Sequence, residues 1–124
     1  MSQDIVADAL NQIMNARRVE KNEVIVKKSS KLLTNLLEIM KSRGHIDYEV
    51  LDDKSLKIKI IKLSECRAVK PRYFVNSENL EKYLRRFLPS RRFGSLIVST
   101  NKGLMDQHEA IKTNTGGALI AYFY

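Results

Sequence analysis

Three places in the 124-residue sequence carry side-chain types that do covalent or proton chemistry. His108-Glu109 sets an imidazole beside a carboxylate, the pairing used in general acid–base work. Asp52-Asp53 offers two carboxylates to a cation. Cys66 is the single thiol, a nucleophile when ionised. None stands in the context such chemistry needs. There is no P-loop, no GxGxxG and no recognisable Ser/His/Asp or Cys/His set. His45 and His108 are far apart and, with one Cys, make no zinc pattern. We therefore read His108 as solvated beside a helix-capping Glu109, Asp52-Asp53 as a turn, and Cys66 as a small buried hydrophobe. No catalytic set, no metal site and no cofactor is expected.

The basic residues are more informative. They cluster as Arg17-Arg18, Lys21, Lys27-Lys28, Lys31; Lys57, Lys59, Lys62; Arg67, Lys70, Arg72; Arg85-Arg86; and Arg91-Arg92. Any single lysine reads as part of a solvated face. The whole set is not balanced by acids, since 22 Lys and Arg face 14 Asp and Glu, a net charge of +8. Such an excess speaks of partners, not of fold: phosphate backbones first, through counterion release that carries little sequence information.

Close reading of RNA needs short polar side chains and exposed backbone. Ser99-Thr100-Asn101-Lys102-Gly103 supplies both. It leaves an apolar strand, and read forward it runs into a helix N-terminus, which favours anions. Gly116-Gly117 offers a second backbone that can approach closely. The bland alternatives are a tight turn and a helix stop, and composition alone leaves them open.

The elements that must position these residues follow from periodicity. Asp4 to Arg17 has Ile5, Val6, Ala9, Leu10, Ile13 and Met14 on one helical face, with Asp8, Asn11, Gln12 and Asn15 in the open. Val24-Ile25-Val26 is a short strand. Ser29 or Ser30 caps a helix from Lys31 to Arg43, and Gly44 stops it. Ile46, Tyr48 and Val50, then Leu56, Ile58 and Ile60, alternate with polar neighbours around Asp52-Asp53-Lys54. That is a hairpin, expected to carry a wet, basic face. Arg67 to Pro71 marks the change of subdomain, because proline has no N–H for a central ladder.

In the second half, Tyr73 to Val75 is a short strand, and Ser77 is the expected cap of a helix with Leu80, Tyr83, Leu84 and Phe87. Leu96-Ile97-Val98 is a buried strand and Asn101-Lys102-Gly103 a turn. Asp106 with Glu109 reads as a capping box. Asn114 to Gly117 stops that helix before a terminal strand, Ala118 to Tyr124. The expected fold is α+β in two small subdomains: residues 1–63 as α-β-α-β-β, and residues 64–124 strand-rich with short helices.

The hydrophobic fraction of 44% suffices for a core. No apolar run approaches the ~20 residues of a spanning helix, and Met1-Ser2-Gln3-Asp4 lacks a secretory pattern. We expect no membrane partner, no small-molecule substrate and a reducing compartment.

Several runs together resemble a known family. Leu88-Pro89-Ser90-Arg91-Arg92-Phe93-Gly94, Ile97 to Asp106, Glu109-Ala110 and Thr115-Gly116-Gly117 before an aromatic terminus resemble the universal small-subunit ribosomal protein family S-eight. Ala7 to Leu10, Asn15-Ala16, Ser30-Lys31-Leu32, Gly44-His45-Ile46 and Val69 to Tyr73 agree with it. The wording is similar to the eukaryotic branch, with the archaeal one close behind. The resemblance implies a structural constituent of a cytoplasmic small ribosomal subunit. It would bind the central domain of the small-subunit rRNA directly, support platform assembly and touch neighbouring ribosomal proteins. It implies that Ser99, Thr100, Asn101, Lys102 and Gly103 form the principal rRNA-binding loop in the second subdomain, with Gly116 and Gly117 as a second contact. Asn101 departs from the usual serine. Asn15, Ser30 and Lys31 would place an rRNA contact in the first subdomain, and the basic pair Arg91 and Arg92 completes the expected rRNA-binding set. Two other readings stand beside it: a free regulator of messenger RNA using the same surface, and a small nucleic-acid-processing enzyme relying on His108 or Glu109.

Overall fold

Helix α1 (Ile5–Arg18) forms where the apolar residues recur at helical spacing, and it buries Val6, Ala9, Leu10, Ile13 and Met14. The computed structural model describes residues 5–70, 72–89 and 93–124. The helix start expected at Asp4, the boundary residue Pro71, and Ser90, Arg91 and Arg92 lie outside the described residues. The chain divides into two compact units, Met1–Cys66 and Arg67–Tyr124.

In the first unit, strand β1 (Glu23–Val26) follows α1, then come helix α2 (Lys31–Ser42) and strands β2 (Ile46–Val50) and β3 (Leu56–Ile60). Ser30 is the residue that caps α2. Its backbone is extended and its hydroxyl accepts the Leu33 N–H at 3.2 Å. Leu33, Leu36, Leu37 and Met40 are buried on one face of α2. The sheet order is β1-β3-β2, antiparallel throughout. At the hairpin tip the Asp53 carboxylate accepts the Ser55 N–H at 3.0 Å, which holds its pKa below the ordinary value. Lys54 takes the left-handed conformation, φ 68°.

The outer face of this sheet differs from expectation. Lys57 and Lys59 do not make it basic. The register sets Lys57 opposite Glu49, and Lys59 opposite Glu23 and Asp47. Lys57 Nζ lies 3.7 Å from Glu23 and 4.0 Å from Glu49, so the face is charge-compensated. Pairing partners decide this, and alternation along one strand does not reveal them.

The first unit also runs past the division read at residues 63 and 64. Arg17 Nε donates to the Leu63 carbonyl at 2.5 Å. The Cys66 N–H meets Met14 Sδ at 3.3 Å, and its thiol points at the Leu10 carbonyl, 3.7 Å away. Cys66 is 1% exposed, the small buried hydrophobe expected of it.

The second sheet comprises β4 (Cys66–Ala68), β5 (Phe74–Val75), β6 (Ser95–Thr100), β7 (Gly103–Met105) and β8 (Gly117–Phe123). The order is β4-β8-β6-β7, with β5 also pairing β8. Helices α3 (Leu80–Phe87) and α4 (Gln107–Lys112) complete the unit. Val75, Leu80, Leu84, Leu88, Leu96, Val98 and Leu119 form its core. Leu96, Ile97 and Val98 are each buried, so β6 is covered on both faces, as its unbroken apolar run requires. The fold is α+β, two small units of the kind read from the sequence. Among the described residues no helix is long and apolar enough to cross a membrane.

Two local expectations fail. Ser77 does not cap α3. Its hydroxyl is hydrogen-bonded to Asn114 Oδ1, while Asn76 and Asn79 each accept the other's backbone N–H at 2.8 Å. The second is the strand β7, which was not foreseen and which separates the Asn101-Lys102 turn from α4.

Candidate nucleic-acid interface

Antiparallel pairing decides which loops meet. Strands β5 and β6 both run against β8, and β7 runs against β6. The C-terminal ends of β5 and β6 and the N-terminal ends of β7 and β8 therefore share one end of the sheet. Three loops gather there: 76–79, 100–103 and 113–117.

The 100–103 loop is a rigid hairpin connection. Thr100 pairs Gly103, and Gly103 takes φ +109°, the left-handed step that returns the chain after a short turn. The Thr100 hydroxyl donates to the Gly103 carbonyl at 2.8 Å and accepts the Lys102 N–H at 3.1 Å. Its donor is thus committed to the turn. Ser99 is half-buried, and no hydrogen bond of its hydroxyl is made among the described residues. Asn101 and Lys102 are exposed.

Gly116 and Gly117 are there for close approach. A Cβ on Gly117 would strike the Ser99 carbonyl oxygen and lie 2.8 Å from its carbon and 3.2 Å from Thr100 Cα. A Cβ on Gly116 would strike the Val75 carbonyl oxygen and lie 2.9 Å from Asn76 Cα. The helix stop belongs instead to Asn114, φ 51°. Thr113 and Thr115 add a hydroxyl pair 2.8 Å apart beside the glycines. The result is a small-residue surface of hydroxyls, amides and exposed backbone, with Lys102 as its cation.

The expected anion-favouring helix N-terminus is not part of it. Strand β7 intervenes, and the Asp106 carboxylate already accepts the Glu109 N–H at 2.9 Å. An acid fills the place an anion would take. His108 and Glu109 are exposed on α4, and among the described residues no three His, Cys, Asp or Glu come together as a metal site.

In the first unit, Asn15 lines a groove of about 510 Å³ between α1 and β1. Asn11, Gln12, Lys27 and Lys28 share its walls. Ser30 and Lys31 are not among its lining residues; they begin α2, with the Ser30 hydroxyl engaged as the cap. Arg91 and Arg92 fall outside the described residues. Two other expected cations are engaged locally. Arg86 lies 5.3 Å from the Tyr73 and Phe87 rings, and Arg85 is 3.9 Å from Glu81.

Comparison with known proteins adds the decisive observation. The family model described as "Ribosomal protein S8" matches residues 4–124. The chain belongs to the ribosomal protein S8 family. It is 44% identical to the small ribosomal subunit protein uS8 of Nanoarchaeum equitans and 41% identical to that of Thermoplasma acidophilum, each over the whole of both chains. It is 39% identical to the uS8 of Methanococcoides burtonii over 98% of this chain and 97% of the relative. These relatives are archaeal, one of the two branches to which the sequence pointed.

Sequence reasoning passed over several residues that shape this candidate interface. Gln107 is fully buried, accepts the Leu96 N–H at 2.8 Å and donates to the Gly94 carbonyl at 2.9 Å. It ties α4 to the start of the strand that carries Ser99. Asn76, Ser77 and Asn79 reach the site through strand pairing. The spacing Asn76-x-x-Asn79, which lets each side chain accept the other's backbone N–H, was the available signal.

Proposed function

We propose that this protein braces ribosomal RNA through two separate surfaces, one on each unit. As a member of the ribosomal protein S8 family it is a structural constituent of the small ribosomal subunit. The principal RNA-reading surface is the end of the second sheet: Ser99, the Asn101-Lys102 turn, Gly103, and Gly116-Gly117 beside them. The observation that carries this is the seating of Gly117 against Ser99, which leaves room for no side chain and brings the two half-buried backbones together beside exposed Gly116. RNA shape is read by backbone and 2′-hydroxyl contacts of this kind. Asn15, Lys27 and Lys28 of the groove, with Ser30 and Lys31 beyond it, form the second surface.

The target is the central domain of the small-subunit rRNA, bound directly in support of platform assembly. The setting is the cytoplasmic ribosome, and the chain is not an enzyme. The charge-compensated face of the first sheet is unsuited to phosphates and is the side offered to neighbouring ribosomal proteins. A tagged full-length chain followed through sucrose-gradient sedimentation of its host's lysate tests the reading. It is expected to travel with small subunits after a high-salt wash. A chain found only in free fractions would point instead to a regulator of messenger RNA.

A further inference from the structure

The most exposed large hydrophobic residue among those described is Phe74, at 82%. It lies on β5, only two residues long, and its neighbour Val75 is buried in the core. The register places it in a row. Phe74 pairs Ala118, Ala118 pairs Ser99, and Ser99 pairs Leu104. Directly paired residues project to the same face of a sheet. All four side chains therefore stand on the face opposite that of Val75, Val98 and Leu119. Further along that face Ile97, Ala121 and Phe123 are buried. The row at the sheet end is open: Phe74 is exposed, and Ala118, Ser99 and Leu104 are half-buried.

Its profile is a saddle. Phe74 and Leu104 are the walls, and the small side chains of Ala118 and Ser99 are the floor. Phe74 and Ser99 stand two strand spacings apart, about 9–10 Å. Phe74 presents an aromatic face, and Ser99 presents the hydroxyl that makes no hydrogen bond among the described residues. Lys102 follows in the turn, and Lys70 and Arg72 precede β5, all exposed. An aromatic wall, a hydrogen-bonding floor and flanking cations match the three parts of a nucleotide: base, base edge or ribose, and phosphate.

We propose that Phe74 is a stacking platform for one unstacked RNA nucleobase, whose edge or ribose is held by Ser99. This rests on the RNA-binding reading above and extends it to a residue outside the 99–103 loop. A protein neighbour would not need the hydroxyl floor or the cations, whereas a splayed-out nucleotide uses all of them.

The sequence contains no tryptophan, so F74W makes a single-tryptophan reporter at the site, excited apart from the tyrosines. The full chain as wild type, F74W and Phe74→Leu is titrated with a central-domain fragment of small-subunit rRNA, with excess transfer RNA present. Thermal unfolding of each variant is measured alongside. Three results are expected. F74W binds like wild type and its fluorescence is quenched on binding. Phe74→Leu, apolar but without a π-face, unfolds like wild type and loses roughly tenfold in affinity. The salt slope does not change, because no phosphate contact is removed. If Phe74→Leu binds as tightly as wild type, or F74W is not quenched, the platform is overturned and the face belongs to a protein. If wild type itself fails to bind over competitor, the RNA reading falls and the platform with it; tight wild-type binding with no effect at Phe74 removes the platform alone.

Discussion

At the level of single residues, two neighbouring hydroxyls in one loop have different work. Thr100 closes the turn through Gly103 and Lys102, whereas the Ser99 hydroxyl makes no hydrogen bond among the described residues and is the one we propose for RNA. Ser99→Ala is therefore expected to leave stability within about 0.5 kcal/mol, as for a surface change away from special features. It is expected to weaken rRNA binding by up to about tenfold, one hydrogen bond of at most ~1.5 kcal/mol. Thr100→Val is expected to lower stability by about 1 kcal/mol as well, since the turn loses its internal bonds. Urea unfolding and filter binding on the same two proteins separate the roles; equal loss of stability in both would contradict them. Gly117→Ala has no room at all. The new Cβ meets the Ser99 carbonyl, so β6 and β8 must part, at a cost of roughly 1–3 kcal/mol visible in thermal unfolding. The sequence already marked Ser99 to Gly103 as a candidate loop and Gly116-Gly117 as a second, separate contact. It did not distinguish which hydroxyl is spent within the turn, because that depends on hydrogen bonds closed only when the hairpin forms.

At the level of elements, the site stands on β6, and β6 is held by a residue of α4. Gln107 satisfies the Leu96 N–H and the Gly94 carbonyl from a fully buried position. Gln107→Ala leaves both without their partner. It is expected to cost about 2–4 kcal/mol, since each stranded buried group costs ~1–3. Differential scanning calorimetry measures this, and a loss below about 0.5 kcal/mol would show that water replaces the amide. Most of the scaffold was legible as elements. Helical spacing located α1 and α2, the pair Ser29-Ser30 the cap of α2, and alternation the β2–β3 hairpin. Strand β7 was hidden because three residues are too few for a pattern, and because Asp106 drew attention to the helix after it. The charge balance of the first sheet was hidden for another reason. Glu23, Asp47 and Glu49 are remote in sequence from Lys57 and Lys59 and meet them only through register.

At the level of the whole molecule, a net charge of +8 guarantees some affinity for any RNA. The structure shows that this charge is not spread evenly, with Lys57 held by Glu23 and Glu49 while Lys27 and Lys102 are exposed. Specificity is the claim that separates a ribosomal brace from a merely basic protein. The direct measurement is a salt titration of binding between the full chain and a central-domain fragment of small-subunit rRNA, with excess transfer RNA as competitor. A specific brace keeps tight binding at moderate salt in the presence of competitor, and loses it in the Ser99→Ala variant more than its unchanged charge allows. Binding that collapses with salt and competitor alike, with wild type and variant indistinguishable, would contradict the account.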